Sequence, residues 1–270
     1  MTEEQVLFAS EGLTLYGVLH RAEADSPRPA LVFCPPFAEE RKCAHRIMVE
    51  CARVLCPMGV DILRFDLRGC GDSEGEFGQA TLTRWLSDLE TAAHWLTEHA
   101  QPSALGLLGL RLGASLAAQY TEQHPEVRWL GLWEPVTDGS QDWRLSLRRQ
   151  QIRQAITQDQ GLEDSEAAPS HERGYDLDGY EVSEAMRREF AQLSLLHQPR
   201  VFRGPVWIAQ ISATAAPHRA HLALQQAYQQ SGASCDLEVV VAEPFWSLLG
   251  LARAPELIAK TVGAACRTLL

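Results

Sequence analysis

Residues Gly109-Leu110-Arg111-Leu112-Gly113 close an apolar run and open a small-residue, helix-forming stretch. Glycines two places to either side of a central residue mark a sharp strand-to-helix turn, which lifts the central side chain above the end of a sheet. With serine at the centre, such a turn presents a nucleophile to a carbonyl. Here the centre is Arg111, whose guanidinium is permanently protonated and cannot attack. One use of that cation is as an anion clamp: the turn's amides and the helix N-terminus already favour negative charge, and the guanidinium adds a bidentate fork for carboxylate or phosphate. The other is an internal ion pair with Glu39, Glu40 or Glu134, because an unpaired cation beside a positive helix end is costly. The two uses are compatible.

Further residues carry possible chemistry. Glu39 and Glu40 are candidates for a general base acting on water, which needs a raised pKa, or for partners of Arg111 and Arg41. Glu134 follows an apolar run and is a candidate pocket residue. Cys34 or Cys70 could act as a thiolate only beside a base such as His45; small buried hydrophobe is the commoner role of a cysteine. His218 and His221 stand three apart on one helix and bind a metal only if a third ligand converges; solvent-facing imidazoles are the simpler expectation. Ser115 lies one turn into a helix and is expected to be buried. Phe245 and Trp246 form either an aromatic wall for an acyl or aryl group or plain core. HExxH, Walker-type and GxGxxG patterns are missing, so neither a metal nor a cofactor is expected.

The elements that must position these groups follow from periodicity. Glu11-Gly12 separates two β-like runs, Gln5–Ser10 and Leu13–Arg21, as a hairpin. Apolar runs then alternate with amphipathic helices, the pattern of a parallel sheet covered on both faces. Strands are expected at Ala30–Cys34, Asp61–Phe65, Ala104–Leu108, Trp129–Trp133, Val206–Ile211 and Leu237–Val241. Helices are expected at Ala44–Leu55, Leu82–Glu98, Ala114–Gln123, His218–Gln230 and Pro255–Leu269. Residues 138–199 break this order. They show no strand period, two basic amphipathic helices (Trp143–Ile156 and Ser183–Leu196) and an acidic middle from Asp159 to Asp178 that reads as mobile. The expected organisation is a core of residues 1–137 and 200–270 with a helical cap at 138–199 over the ligand-binding edge of the sheet.

The chain has 270 residues, 46% hydrophobic and 22% charged, which suits one large soluble domain with an insertion. A net charge of −11 argues against nucleic acid or an anionic membrane as partner. The start lacks the basic end and apolar run of a secretory signal, and no stretch has the roughly 20 apolar residues of a membrane span. Seven cysteines without a CxxC pair read as reduced thiols of a cytoplasmic protein.

The order of elements resembles the α/β-hydrolase superfamily. Pro36-Phe37-Ala38-Glu39-Glu40 stands at the usual oxyanion-loop position, and Asp66-Leu67-Arg68-Gly69-Cys70-Gly71-Asp72-Ser73 matches the D-x-R-G-x-G-x-S turn. Its glycines allow backbone positions other residues resist, and Asp66 and Arg68 read as structural there. With Gly109–Gly113, Leu132-Trp133-Glu134-Pro135 and Glu243-Pro244-Phe245-Trp246, the chain resembles the group named exosortase A system-associated hydrolase, type 2. That resemblance implies a bacterial protein encoded near exopolysaccharide and protein-sorting genes. The superfamily's triad acid belongs in the loop Ser212–Pro217, which holds no carboxylate, and its histidine just after the last strand, where Ala242–Trp246 stand. The oxyanion loop begins Cys34-Pro35-Pro36, so an amide donor is lost at each proline.

Three functional readings follow. The first is a noncatalytic scaffold or binding protein with an anionic or acyl ligand in a pocket of Arg111, Leu112, Phe37, Ala38, Glu39, Glu40, Glu134, Phe245 and Trp246. The second is an ester or thioester hydrolase or acyltransferase that uses glutamate or cysteine, with Arg111 stabilising the oxyanion. The third is a structural component of a homo- or hetero-oligomer, paired with a related hydrolase, whose pocket is filled by its own side chains.

Overall fold

Continuous apolar runs fold into strands covered on both faces, and the longer alternating runs of the first hairpin into an exposed edge. In the computed structural model, which describes residues 1–23, 27–159, 174–197, 200–248 and 252–270, these runs form ten strands and seven α-helices among the described residues. The strands are β1 (Thr2–Ser10), β2 (Leu13–Arg21), β3 (Ala30–Cys34), β4 (Asp61–Phe65), β5 (Leu105–Leu110), β6 (Trp129–Trp133), β7 (Tyr175–Leu177), β8 (Tyr180–Val182), β9 (Val206–Ser212) and β10 (Cys235–Val241). The helices are α1 (Glu39–Leu55), α2 (Leu82–Ala100), α3 (Leu112–Thr121), α4 (Gly139–Asp159), α5 (Glu184–Gln192), α6 (Arg219–Gln230) and α7 (Pro255–Leu269).

Eight strands make one sheet in the order β1-β2-β4-β3-β5-β6-β9-β10. The β1–β2 hairpin and its junction with β4 are antiparallel; every later pairing is parallel. Two cores result. Trp85, Leu89, Leu116, Leu224 and Tyr228 bring α2, α3 and α6 against one face, and Ile47, Met48, Leu257 and Ile258 bring α1 and α7 against the other. This is the α/β-hydrolase fold that the sequence implies.

Several boundaries differ from expectation in ways that matter for chemistry. Helix α1 begins at Glu39 rather than Ala44, which puts Glu39 and Glu40 in its first turn, where carboxylates complement the helix dipole. Strand β5 continues through Leu110, and α3 opens at Leu112 rather than Ala114, so Arg111 alone makes the bend. The Asp66–Ser73 turn is tied down by charge. Asp66 accepts from Arg41 at 3.1 Å, and Arg68 reaches fully buried Asp88 at 2.6 Å.

Between β6 and β9 the expected strandless segment contains a small antiparallel hairpin, β7–β8, turned at Asp178-Gly179 with positive φ at both residues. Strands of three residues are too short for a period of two to show in sequence. The acidic middle read as mobile falls largely on residues 160–173, outside those described. The helices of this segment run from Gly139 and Glu184, and they meet the body through aromatic contacts. Phe190 of α5 stands 5.4 Å from Phe37 and 6.0 Å from Trp143 of α4, and Tyr180 of β8 stands 4.8 Å from Phe77. Ser183 caps α5 by accepting from the Met186 amide at 3.1 Å. Ser183→Ala is expected to lower stability by about 1 kcal/mol in urea titrations, the usual worth of such a cap.

Candidate functional site

The bend at the end of β5 depends on two missing side chains. A Cβ on Gly109 would fall 2.4 Å from the Gly113 carbonyl, and one on Gly113 would fall 2.3 Å from the carbonyls of both Cys34 and Pro35. Arg111 itself holds φ 54° and ψ −120°, a conformation that L-residues resist. Its amide donates to the Trp133 carbonyl at 2.9 Å, and its carbonyl accepts from the Ser115 amide at 3.2 Å. The strained turn is therefore built as it would be for a nucleophile, but it presents a guanidinium.

That guanidinium is nearly buried and is held by two carboxylates. Its Nε donates to Glu40 at 3.3 Å, its Nη2 donates to Asp142 of α4 at 2.5 Å, and its carbon lies 5.3 Å from the Trp246 ring centroid. Arg149 stands 4.0 Å from Asp142, so two cations face two carboxylates and the local charge balances. Burial by itself opposes the protonated form of Arg111, but Glu40, Asp142 and then Glu134 outweigh it and raise its pKa. Burial raises the Glu40 pKa, with Arg111 as the largest opposing influence.

The rest of the candidate set divides around this cluster. Phe37, Ala38, Glu39, Glu40, Leu112 and Trp246 line a cavity of about 60 Å³, closed on the other side by Asp142 and Arg149 of α4. Helices α1 and α3 both begin at this cavity, so two positive helix ends converge where the protein's own Glu40 and Asp142 lie. Glu39 turns to Lys42 at 3.0 Å and to the Tyr180 hydroxyl at 3.5 Å rather than to Arg111. Arg41 pairs with Asp66, not with either glutamate. Phe245 packs in the core, edge-on to Trp246 at 5.3 Å.

Glu134 does not pair directly with Arg111. It holds φ 43°, accepts from the Ile211 amide at 2.7 Å, and faces α6, where His218 and His221 stand 3.7 and 3.9 Å away. Burial pushes its carboxyl up to about 7, opposed by the Ile211 hydrogen bond and Arg111. The expectation of two solvent-facing imidazoles is corrected for His221, which is buried, and a third potential ligand does converge.

The thiols are poor nucleophiles. Burial pushes Cys34 well above the ordinary range and Cys70 up to about 12, the reverse of what a catalytic thiolate requires. His45 is also turned toward its charged form less readily, by burial and by Arg64. Ser115 is fully buried and donates to the Val136 carbonyl at 2.7 Å. Asp142, the shortest partner of Arg111, was not identified from sequence. The available signal was its place in the first turn of α4, one short loop after Glu134-Pro135.

Residues 25–165, about half the chain, match the family described as serine aminopeptidase, S33. The chain belongs to that family. An uncharacterized protein of Rickettsia prowazekii, RP471, is 30% identical over 120 residues. The alignment covers 43% of this chain, and the chain spans about half (49%) of that relative's length. Among solved structures, Est1E from Butyrivibrio proteoclasticus with ferulic acid bound superposes with a TM-score of 0.71 at 18% identity, covering 95% of this chain and 96% of that one. The α/β hydrolase GrgF from Penicillium sp. sh18 superposes with a TM-score of 0.69 at 16% identity, covering 100% and 99%. The S33 family and these neighbours share the fold; the elbow of this member carries Arg111. Among the described residues no helix is long and apolar enough to cross a membrane.

Proposed function

We propose that this S33-family chain is a noncatalytic α/β-hydrolase-fold protein, a scaffold or binding protein in which an ion cluster replaces the nucleophile. The observation that carries the reading is the pair of contacts from Arg111 to Glu40 and Asp142. Arg111 cannot attack a carbonyl, and its Nε and Nη2 already donate to internal carboxylates, which disfavours the oxyanion-stabilising alternative. The positions of the usual triad acid and histidine hold Ser212–Pro217 and Ala242–Trp246.

In this reading the 138–199 segment is a cap, and the Arg111–Asp142 contact latches it to the elbow. A cavity of about 60 Å³ holds water rather than an organic ligand, since pockets for small molecules run to about 300 Å³ or more. An anionic acyl or aryl acid, of the kind bound to Est1E, would enter only as the latch opens and would exchange its carboxylate for Asp142 on Arg111. The motif resemblance supports a link to exosortase and exopolysaccharide systems, and the acidic, reduced-thiol composition supports a cytoplasmic location. A related, catalytically intact hydrolase or a second copy is the partner that the scaffold reading implies.

Serine-directed fluorophosphonate is expected to leave the purified protein unlabelled, and short-chain nitrophenyl esters to be turned over no faster than by heat-denatured protein. Stoichiometric labelling would overturn the reading.

A further inference from the structure

Three side chains on the α6 side of the elbow converge without bonding to one another. Glu134 is pinned by its own backbone and by one oxygen: its amide donates to the Ala209 carbonyl at 2.8 Å, and its Oε2 accepts from the Ile211 amide at 2.7 Å. The other oxygen, Oε1, faces His218 Nδ1 at 3.7 Å and His221 Nε2 at 3.9 Å, both beyond hydrogen-bond reach. The three ligand atoms all lie within 4.8 Å of one another.

The His221 imidazole is oriented from behind, and the His218 backbone is held by the same residue. Gln210, fully buried in β9, donates from Nε2 to the Ala216 carbonyl at 2.9 Å, which fixes its Oε1 as an acceptor. That oxygen accepts from the His218 amide at 2.6 Å and stands 3.3 Å from His221 Nδ1. The ring also has the Pro135 backbone as a hydrogen-bond partner, and with its proton on Nδ1 the Nε2 atom, 3.9 Å from Glu134 Oε1, is free to ligate. An outer acceptor that sets the tautomer of an imidazole is a recurrent feature of metal sites.

We propose that Glu134, His218 and His221 bind one zinc-class divalent cation, with a further coordination position open to solvent beside His218. Two imidazoles and one carboxylate suit zinc better than calcium or magnesium, which take oxygen ligands. Bonds of about 2.0–2.2 Å in tetrahedral geometry put ligand atoms about 3.3–3.5 Å apart. The two separations from Glu134 exceed this by about 0.2–0.6 Å and that between the imidazoles by up to about 1.5 Å, a movement open to His218, whose side chain is half-exposed. The Arg111 cation opposes a second positive charge nearby, but Glu40 and Asp142 already offset it.

This inference is independent of the noncatalytic reading. The test is calorimetric titration of chelator-stripped, tag-free protein with Zn²⁺, paired with the visible absorption of the Co²⁺-loaded protein. One equivalent is expected to bind, with nitrogen- and oxygen-ligated tetrahedral cobalt bands, and His218→Ala is expected to weaken binding at least about tenfold. His218 caps no hydrogen bond through its side chain at the start of α6, so this variant should fold; His221→Gln serves as a second deletion. Unsaturable binding, equal titrations of wild type and both variants, or thiolate bands that vanish on alkylation would each overturn the site. Ester turnover gained on zinc loading would overturn the noncatalytic reading and leave the site standing.

Discussion

Arg111→Ala is expected to destabilise the protein by about 3 kcal/mol near neutral pH, although it removes what looks like a foreign residue from a hydrolase elbow. The variant leaves Glu40 and Asp142 facing one another in a largely buried space with half-exposed Arg149 close by. Two helix N-termini soften this repulsion without cancelling it. The effect carries a pH signature. Burial already raises the Glu40 pKa above its ordinary 4.5, and Arg111 is the largest influence lowering it. A carboxyl whose folded pKa is raised contributes stability that is complete below its unfolded pKa and is lost as pH rises through the folded value. Removing Arg111 enlarges that loss. The gap between wild type and variant should therefore be widest near neutrality and narrow as pH falls toward about 4. Urea unfolding across that range measures it, and a gap below about 1 kcal/mol at all pH values would show that Arg111 is not the latch. Loosening should also extend to the cap: hydrogen exchange in α4 and α5 is expected to accelerate in the variant.

Gly113→Ala should cost about 3 kcal/mol or more, or prevent accumulation of folded protein. The added methyl would lie 2.3 Å from two backbone carbonyls, those of Cys34 and Pro35. Backbone at the end of a central strand cannot retreat as a flexible side-chain tip would, and Pro35 and Pro36 stiffen it further. The first turn of α3 would have to move away from β3, taking Arg111 with it. Differential scanning calorimetry, or the soluble yield if the transition is lost, reads the outcome. A change of only a few degrees would mean that the elbow is looser than its geometry implies. The elbow glycines are thus required by packing, whatever residue stands between them.

These expectations bear on how much was legible in the chain itself. The alternation of apolar runs with amphipathic helices specifies the parallel sheet, because burial on both faces demands it locally. The glycine spacing around Arg111 specifies the bend, and permanent protonation specifies that no attack occurs there. The β7–β8 hairpin escaped because three-residue strands leave no period, although Asp178-Gly179 is a turn signal. Sequence offers Glu39, Glu40 and Glu134 as partners for Arg111. Glu40 is one partner, but the shorter contact goes to Asp142, 31 residues on, across a helix whose approach angle no local pattern encodes.

The same division holds for Glu134 and the two histidines. Spacing of three puts His218 and His221 on one side of α6, which composition and periodicity show directly. That His221 turns inward, and that Glu134 meets both rings, depends on β6 and β9 lying side by side in the sheet. Sequence alone determined the layers, the bend and the guanidinium at its apex, since each rests on neighbours within a turn or two. Only tertiary structure decided which carboxylate meets which cation. Such pairings are set by how whole elements pack, and their energies depend on a burial that exists only once the chain has folded.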